Sequence, residues 1–214
     1  MTTFEHAMLG ANAVLASGLH RRYGWHVVVL AGVCAVAPDW DGLTLLYDVQ
    51  TFDRGHRVWG HNLLACFLTG ILLGSIDYRY DLSGRLASYF ASKRKPELVP
   101  DGSMRRKLGK EFSGWAVWIL VGILAALSQI PADSVVSSGH GLSDWPLKPL
   151  WPFSQQEFIY PMVQWGDPGI TLIFCAGMIT MARCQRRLQL VAILTLLLVV
   201  GYIEFRGTPS LSLF

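Results

Sequence analysis

The chain has 214 residues, of which 52% are hydrophobic and only 15% charged, with a formal net charge of +3 and a mean hydropathy of +0.37. A water-soluble domain carries about 25% charged residues, so the composition excludes an ordinary soluble enzyme and points to a chain built for a bilayer. The basic residues sit in short connectors and form no continuous face, which argues against nucleic acid as a partner.

Six apolar segments follow in chain order. The first covers 4–19 and the second 24–37. Both fall short of the roughly 20 residues a spanning helix needs, so they either cross as a hairpin with their polar ends included or dip in without crossing. The third covers 58–76, the fourth 114–130, the fifth 168–182 and the sixth 188–205. The third, fourth and sixth are long enough to span, and the fifth is shorter. No basic region precedes the first segment, which opens on Glu5 and His6, so it does not read as a cleavable signal. The expected fold is an all-α polytopic transmembrane bundle of about six helices forming a single domain over 1–214, with a polar, basic cytoplasmic loop at 77–113. Within that loop, Leu82, Leu86, Tyr89 and Phe90 recur at helical spacing before Lys93, Arg94 and Lys95. This is either an interfacial helix on anionic membrane lipids or a solvated linker.

Alternating the connectors across the membrane places 14 of the 18 lysines and arginines on one side. The positive-inside rule makes that side cytoplasmic and leaves both termini non-cytoplasmic. Cys34, Cys66, Cys175 and Cys184 lie in or beside apolar runs without CxxC spacing and read as small buried hydrophobes.

Acids and histidines gather at the opposite end from the basic residues: His6, Asp39, Asp41, His56, His61, Asp133, His140, Asp144 and Asp167. An ionisable group within a span costs about 2.5–3.5 kcal/mol on insertion scales, so such groups tend to be paired, coordinated or functional. Pro38 ends the second helix, and Asp39 and Asp41, two apart on an extended segment, point to opposite faces. One of them then reaches a metal while the other orients a histidine. His61 lies just inside the third segment, with His56 in the loop before it. Gln129 and Asp133 share a face if the fourth helix continues past Pro131. His140 and Asp144 sit between glycines in a loop. Asp144-Trp145-Pro146 and Leu150-Trp151-Pro152-Phe153-Ser154 suit a rigid interfacial lid or a membrane anchor. Asp167 precedes Pro168 as a helix cap.

His6, Pro38-Asp39-Trp40-Asp41, His56-Arg57-Val58-Trp59-Gly60-His61-Asn62, Asp133 and Leu150-Trp151-Pro152-Phe153-Ser154 stand in an order that resembles the membrane-bound metal-dependent hydrolases, the LexA-regulated inner-membrane family. Two positions depart from that pattern: Asn62 stands where the family has Ser. Gln129 stands where its His-x-x-x-Asp histidine falls if Asp133 is the matching acid, while His140 and Asp144 offer another match. The resemblance implies a bacterial inner-membrane protein and a divalent-metal hydrolase. His6, Asp39, Asp41, His61 and Asp133 are then the metal ligands, with zinc favoured by mixed nitrogen and oxygen donors and manganese the alternative. His56 or Asp144 serves as general base or acid, and Arg57 binds an anionic substrate such as a phosphate; a lipid ester is another candidate. Gln129, His140 and Asp167 are further candidates. Competing readings are a non-enzymatic metal-binding membrane protein and, less well matched, a transporter, since the ionisable residues cluster at one side and leave the midplane of the spans nearly empty.

Overall fold

The computed structural model describes residues 1–92, 112–137 and 145–207. Helices dominate. α1 (Thr3–Ser17) and α2 (Leu19–Tyr23) lead into α3 (Trp25–Val36), which continues as a 3-10 segment over Ala37–Leu46. α4 (Val49–Gly55) precedes α5 (Leu63–Tyr80) and α6 (Leu82–Ser92). α7 (Phe112–Leu127), α8 (Gln129–Ser134), α9 (Pro168–Arg183) and α10 (Leu188–Gly207) complete the described chain. The only paired strands among the described residues are β1 (Val136–Ser137) and β2 (Val163–Gln164), parallel with Val136 opposite Val163.

Four helical stretches among the described residues are long and apolar enough to cross a membrane: Trp25–Leu46, Leu63–Tyr80, Gly114–Ser134 and Gln185–Gly207. The expected all-α transmembrane architecture is present. The outward faces carry Leu68, Leu72, Leu120, Leu124, Leu194 and Leu197, each more than 45% exposed. Water would not tolerate so much contiguous apolar surface, and a bilayer requires it.

Small residues decide how the helices meet. A side chain on Gly70 would run into the backbone of Ile123, and one on Gly122 into the carbonyl of Gly70, so α5 and α7 pack backbone to backbone. α1 packs on α3 and α10, and α9 on α10. α1 starts on a capping box in which Thr2 accepts from the Glu5 amide and Glu5 from the Thr2 amide.

Several segment edges differ from the sequence reading. Pro38 does not release an extended chain. It turns the α-helix into a 3-10 helix, so the second span reaches Leu46 and gains the length it lacked. The third helix starts at Leu63, not near Arg57, because Arg57 adopts a left-handed backbone (φ 59°) and Asn62 caps the helix by accepting from the Ala65 amide. α5 runs on to Tyr80, and the first part of the basic loop forms α6, with Leu82, Leu86 and Tyr89 exposed. Asp77 anchors that corner by accepting from the Ser83 amide (2.6 Å), the Ser83 hydroxyl (2.7 Å) and Trp118 Nε1 (2.8 Å). Lys93, Arg94 and Lys95 lie outside the described residues. All four cysteines are free; Cys34 and Cys66 are buried, whereas Cys184 is exposed, against expectation, where α9 ends.

Candidate metal centre

Four stretches converge at one end of the bundle. α1 supplies His6, and the 3-10 segment supplies Asp39 and Asp41. The connector before α5 supplies His56, Arg57 and His61, and α8 supplies Gln129 and Asp133. Gly60 makes the convergence close: any side chain there would strike the carbonyl of Pro38. α8 is helical through Pro131 because that residue sits in its first turn, where no amide donor is needed. Gln129 and Asp133 therefore share a face, and both are buried.

His61 is held on all sides. Its Nδ1 lies 2.9 Å from Asp41 Oδ2, which also accepts from the Gly60 amide at 3.0 Å. Its Nε2 lies 3.2 Å from Asp39 Oδ1 and 3.2 Å from Asp133 Oδ2. In a 3-10 helix, residues two apart are rotated by about 240°, and this sends Asp39 to one edge of the imidazole and Asp41 to the other. Asp41 fixes the ring as a carboxylate behind a metal-ligand histidine does. Burial works against the imidazolium, yet hydrogen bonds with Asp133, Asp39 and Asp41 outweigh it, so the His61 pKa lies well above the ordinary histidine value. Asp39, Asp41 and Asp133 meet at this ring, with the Arg57 guanidinium and the Met1 amino group beside Asp133.

His6 is fully buried, with Nε2 3.3 Å from Asp133 Oδ1, and neither of its ring nitrogens has a hydrogen-bond partner. Gln129 Oε1 is likewise buried and unpartnered, while the amide nitrogen of Gln129 donates to Asp39 Oδ1. A buried polar atom left unpaired costs about 1–3 kcal/mol. One ligand atom each from His6, Asp39 and Asp133 lie within 4.8 Å of one another. Zinc bonds of about 2.0–2.2 Å set neighbouring tetrahedral ligands about 3.4 Å apart, so a modest contraction would close this group on an ion. With His61 Nε2 included, the donors are two nitrogens and two carboxylates, and these residues fit a zinc or manganese ion.

Other residues named from the sequence stand around this group. Arg57 is buried, and its guanidinium donates to the carbonyls of Val136 (3.1 Å), Trp145 (3.2 Å) and Asp133 (3.4 Å) and to Asp133 Oδ1 (3.4 Å). It is a tie that fixes Asp133, which also pairs with the Met1 amino group. His56 stacks on Phe52 and meets the edge of Trp145, with Nδ1 3.5 Å from Asp41 Oδ1. Asp41 thus stands between the two histidines. Asp167 caps α9 by accepting from the Gly169 amide and also accepts from Tyr202 and Arg206. His140 and Asp144 lie outside the described residues. Two contributors were not legible in the sequence. One is Gly60, whose signal was only its place between two histidines. The other is Trp145, which sits over Arg57 at 5.4 Å and had read as part of a lid or anchor.

A family model described as YdjM inner membrane protein matches residues 1–208. No curated protein and no solved structure matches the chain. With the apolar helices described above, the family match makes this an integral inner-membrane protein.

Proposed function

We propose that this chain, which belongs to the YdjM inner membrane protein family, is a metal-dependent hydrolase whose ion is held by His6, Asp39, His61 and Asp133. The observation that carries the reading is the buried imidazole of His6, with neither nitrogen hydrogen-bonded and Nε2 3.3 Å from the Asp133 carboxylate. A bound divalent ion would polarise the bond to be cut and make water acidic near neutral pH. Asp41 would hold the proton of His61 on Nδ1 and leave Nε2, which lies 3.2 Å from the Gln129 amide nitrogen, to hold an ion. Arg57 holds Asp133 in place. His56 Nδ1, unpartnered and one carboxylate away, is the group positioned to accept a proton by way of Asp41. The substrate is an ester at the membrane surface, of the phosphate or lipid class. Both termini lie on the non-cytoplasmic side, by the distribution of lysine and arginine, and terminal reporter fusions active only outside the cytoplasm test this.

One observation favours a second reading, a non-enzymatic centre in which the ion ties short helices together. The side chains of His6, His61 and Asp133 are 1–2% exposed, and only Asp39, at 26%, opens the group to solvent. Metal analysis of detergent-purified wild type, His61→Ala and Asp39→Ala tests both. Near-stoichiometric zinc or manganese in the wild type, lost in both variants with the fold intact, supports a metal centre; a metal-free wild type overturns both readings. Hydrolysis by the wild type in a screen of phosphomonoesters, phosphodiesters and lipid esters, absent in the variants, separates the enzyme from the structural centre.

A further inference from the structure

Beside the candidate centre lies an apolar groove of about 350 Å³, lined by Leu63, Leu64 and Phe67 of α5, Leu127 of α7, and Leu150 and Phe153 of the connector before β2. Its size falls in the range of about 300–1,000 Å³ typical of small-ligand clefts. Covalent adjacency ties it to the centre. Leu63 is two residues after His61, and Leu127 two residues before Gln129; consecutive Cα atoms are about 3.8 Å apart, so both walls begin within about 7 Å of the site backbone.

Three observations identify the occupant. First, the lining is almost wholly apolar, with the indole of Trp151 its one side chain able to hydrogen-bond, so it suits a hydrocarbon better than a peptide backbone or a charged metabolite. Second, the groove continues into the lipid-facing surface. Phe67 is followed on α5 by exposed Leu68 and Leu72, and Leu127 is preceded on α7 by exposed Leu124 and Leu120. An occupant can therefore enter sideways from the bilayer. Third, the connector is held open by backbone bonds that leave it little freedom to collapse. The Leu63 amide donates to Pro149 O (2.9 Å), Trp151 to Lys148 O (3.0 Å), Phe153 to Leu150 O (2.9 Å), and Leu147 and Phe158 exchange both of theirs. Phe153, which also lines the groove, is 85% exposed and is of the aromatic type favoured at the level of lipid headgroups.

We infer that this groove binds one acyl chain of a membrane lipid and so brings that lipid's polar end to the candidate centre. The Leu-Trp-Pro-Phe segment is the wall that defines the chain's path. Binding of the chain depends only on the groove, whereas its meaning as a substrate rests on the metal-centre reading above.

The test uses the full chain in nanodiscs of phosphatidylethanolamine and phosphatidylglycerol, doped with a phosphatidylglycerol carrying a diazirine on one acyl chain. After illumination, labelled positions are mapped by mass spectrometry and metal content is measured on the same sample. Groove residues should be labelled about tenfold more than Leu194 and Leu197 of α10, the ratio expected for a site preferred by one decade in affinity. Leu127→Trp, which fills the groove, should abolish that excess while metal content stays at the wild-type level. If Leu127→Trp fails to fold, Phe153→Ala should reduce the excess in a folded protein. Uniform labelling over all lipid-facing residues, an excess indifferent to both variants, or a groove covered instead by a second copy of the chain would overturn the inference. Groove labelling in a metal-free protein would leave the lipid site standing and sink the metal centre; bound metal without groove labelling would do the reverse.

Discussion

Replacing Asp41 with asparagine should weaken metal binding while leaving the fold intact. In the wild type, Oδ2 accepts from the Gly60 amide at 3.0 Å and from His61 Nδ1 at 2.9 Å, and Oδ1 lies 3.5 Å from His56 Nδ1, which has no hydrogen-bond partner. An asparagine oxygen in the place of Oδ2 keeps both bonds, and its amide group can donate toward His56. What disappears is the negative charge behind the imidazole. Loss of such a partner costs about 10–100-fold in metal affinity, or about 1.4–2.8 kcal/mol. Asp41→Ala behaves differently, because it strips two buried donors of their acceptor at about 1–3 kcal/mol each, and should lower the melting temperature as well. The assay is chelator competition on detergent-purified protein, read by metal analysis, with thermal melts of the same samples. Unchanged metal affinity in Asp41→Asn, or a loss no larger than its melting shift explains, would refute the role given to Asp41.

Three further expectations follow the same logic. Gly60→Ala forces the connector away from Pro38 and should cost about 1–3 kcal/mol through overpacking; metal content should fall more than melting temperature does, because Asp39 and Asp41 move with Pro38. Trp118→Phe removes a 2.8 Å hydrogen bond to Asp77 at the other end of α5, worth about 1.5–3 kcal/mol for a charged acceptor; the melting temperature should drop with metal content unchanged. For pH, His61 is raised in the folded state, so its contribution to the ion-free protein is complete below the ordinary histidine value of about 6.5. It declines as pH climbs through the raised value. Chelator-treated protein should therefore melt lower on alkaline titration. Metal affinity should strengthen over the same range, because the ion displaces the proton from Nε2; parallel trends for the two samples would count against His61 as a ligand.

Much of the architecture was readable before any coordinates. Long apolar runs have one stable outcome in hydrocarbon, since a helix satisfies its own backbone, and all six apolar segments are helices. The end of the bundle where histidines and carboxylates meet was also legible, because ionisable residues at the ends of spans are costly enough to be paired or coordinated. Segment edges were less so. Hydropathy averages over a window and passes through Arg57 and Gly60, whereas a left-handed residue and a close backbone approach are decided residue by residue.

The sequence by itself determined that this chain is membrane-embedded and which few residues were eligible to hold an ion. Tertiary structure alone decided how those residues divide the work. It sets Asp39 and Asp41 on opposite edges of one imidazole, spends Arg57 on Asp133 and backbone carbonyls, leaves both nitrogens of the buried His6 without a hydrogen bond, and opens an apolar groove two residues from the site. The physical reason is range. Helix formation answers to neighbours within a few residues, but a His/Asp cluster assembled from α1, the 3-10 segment, the connector before α5, and α8 exists only once glycine-mediated packing has brought those elements together.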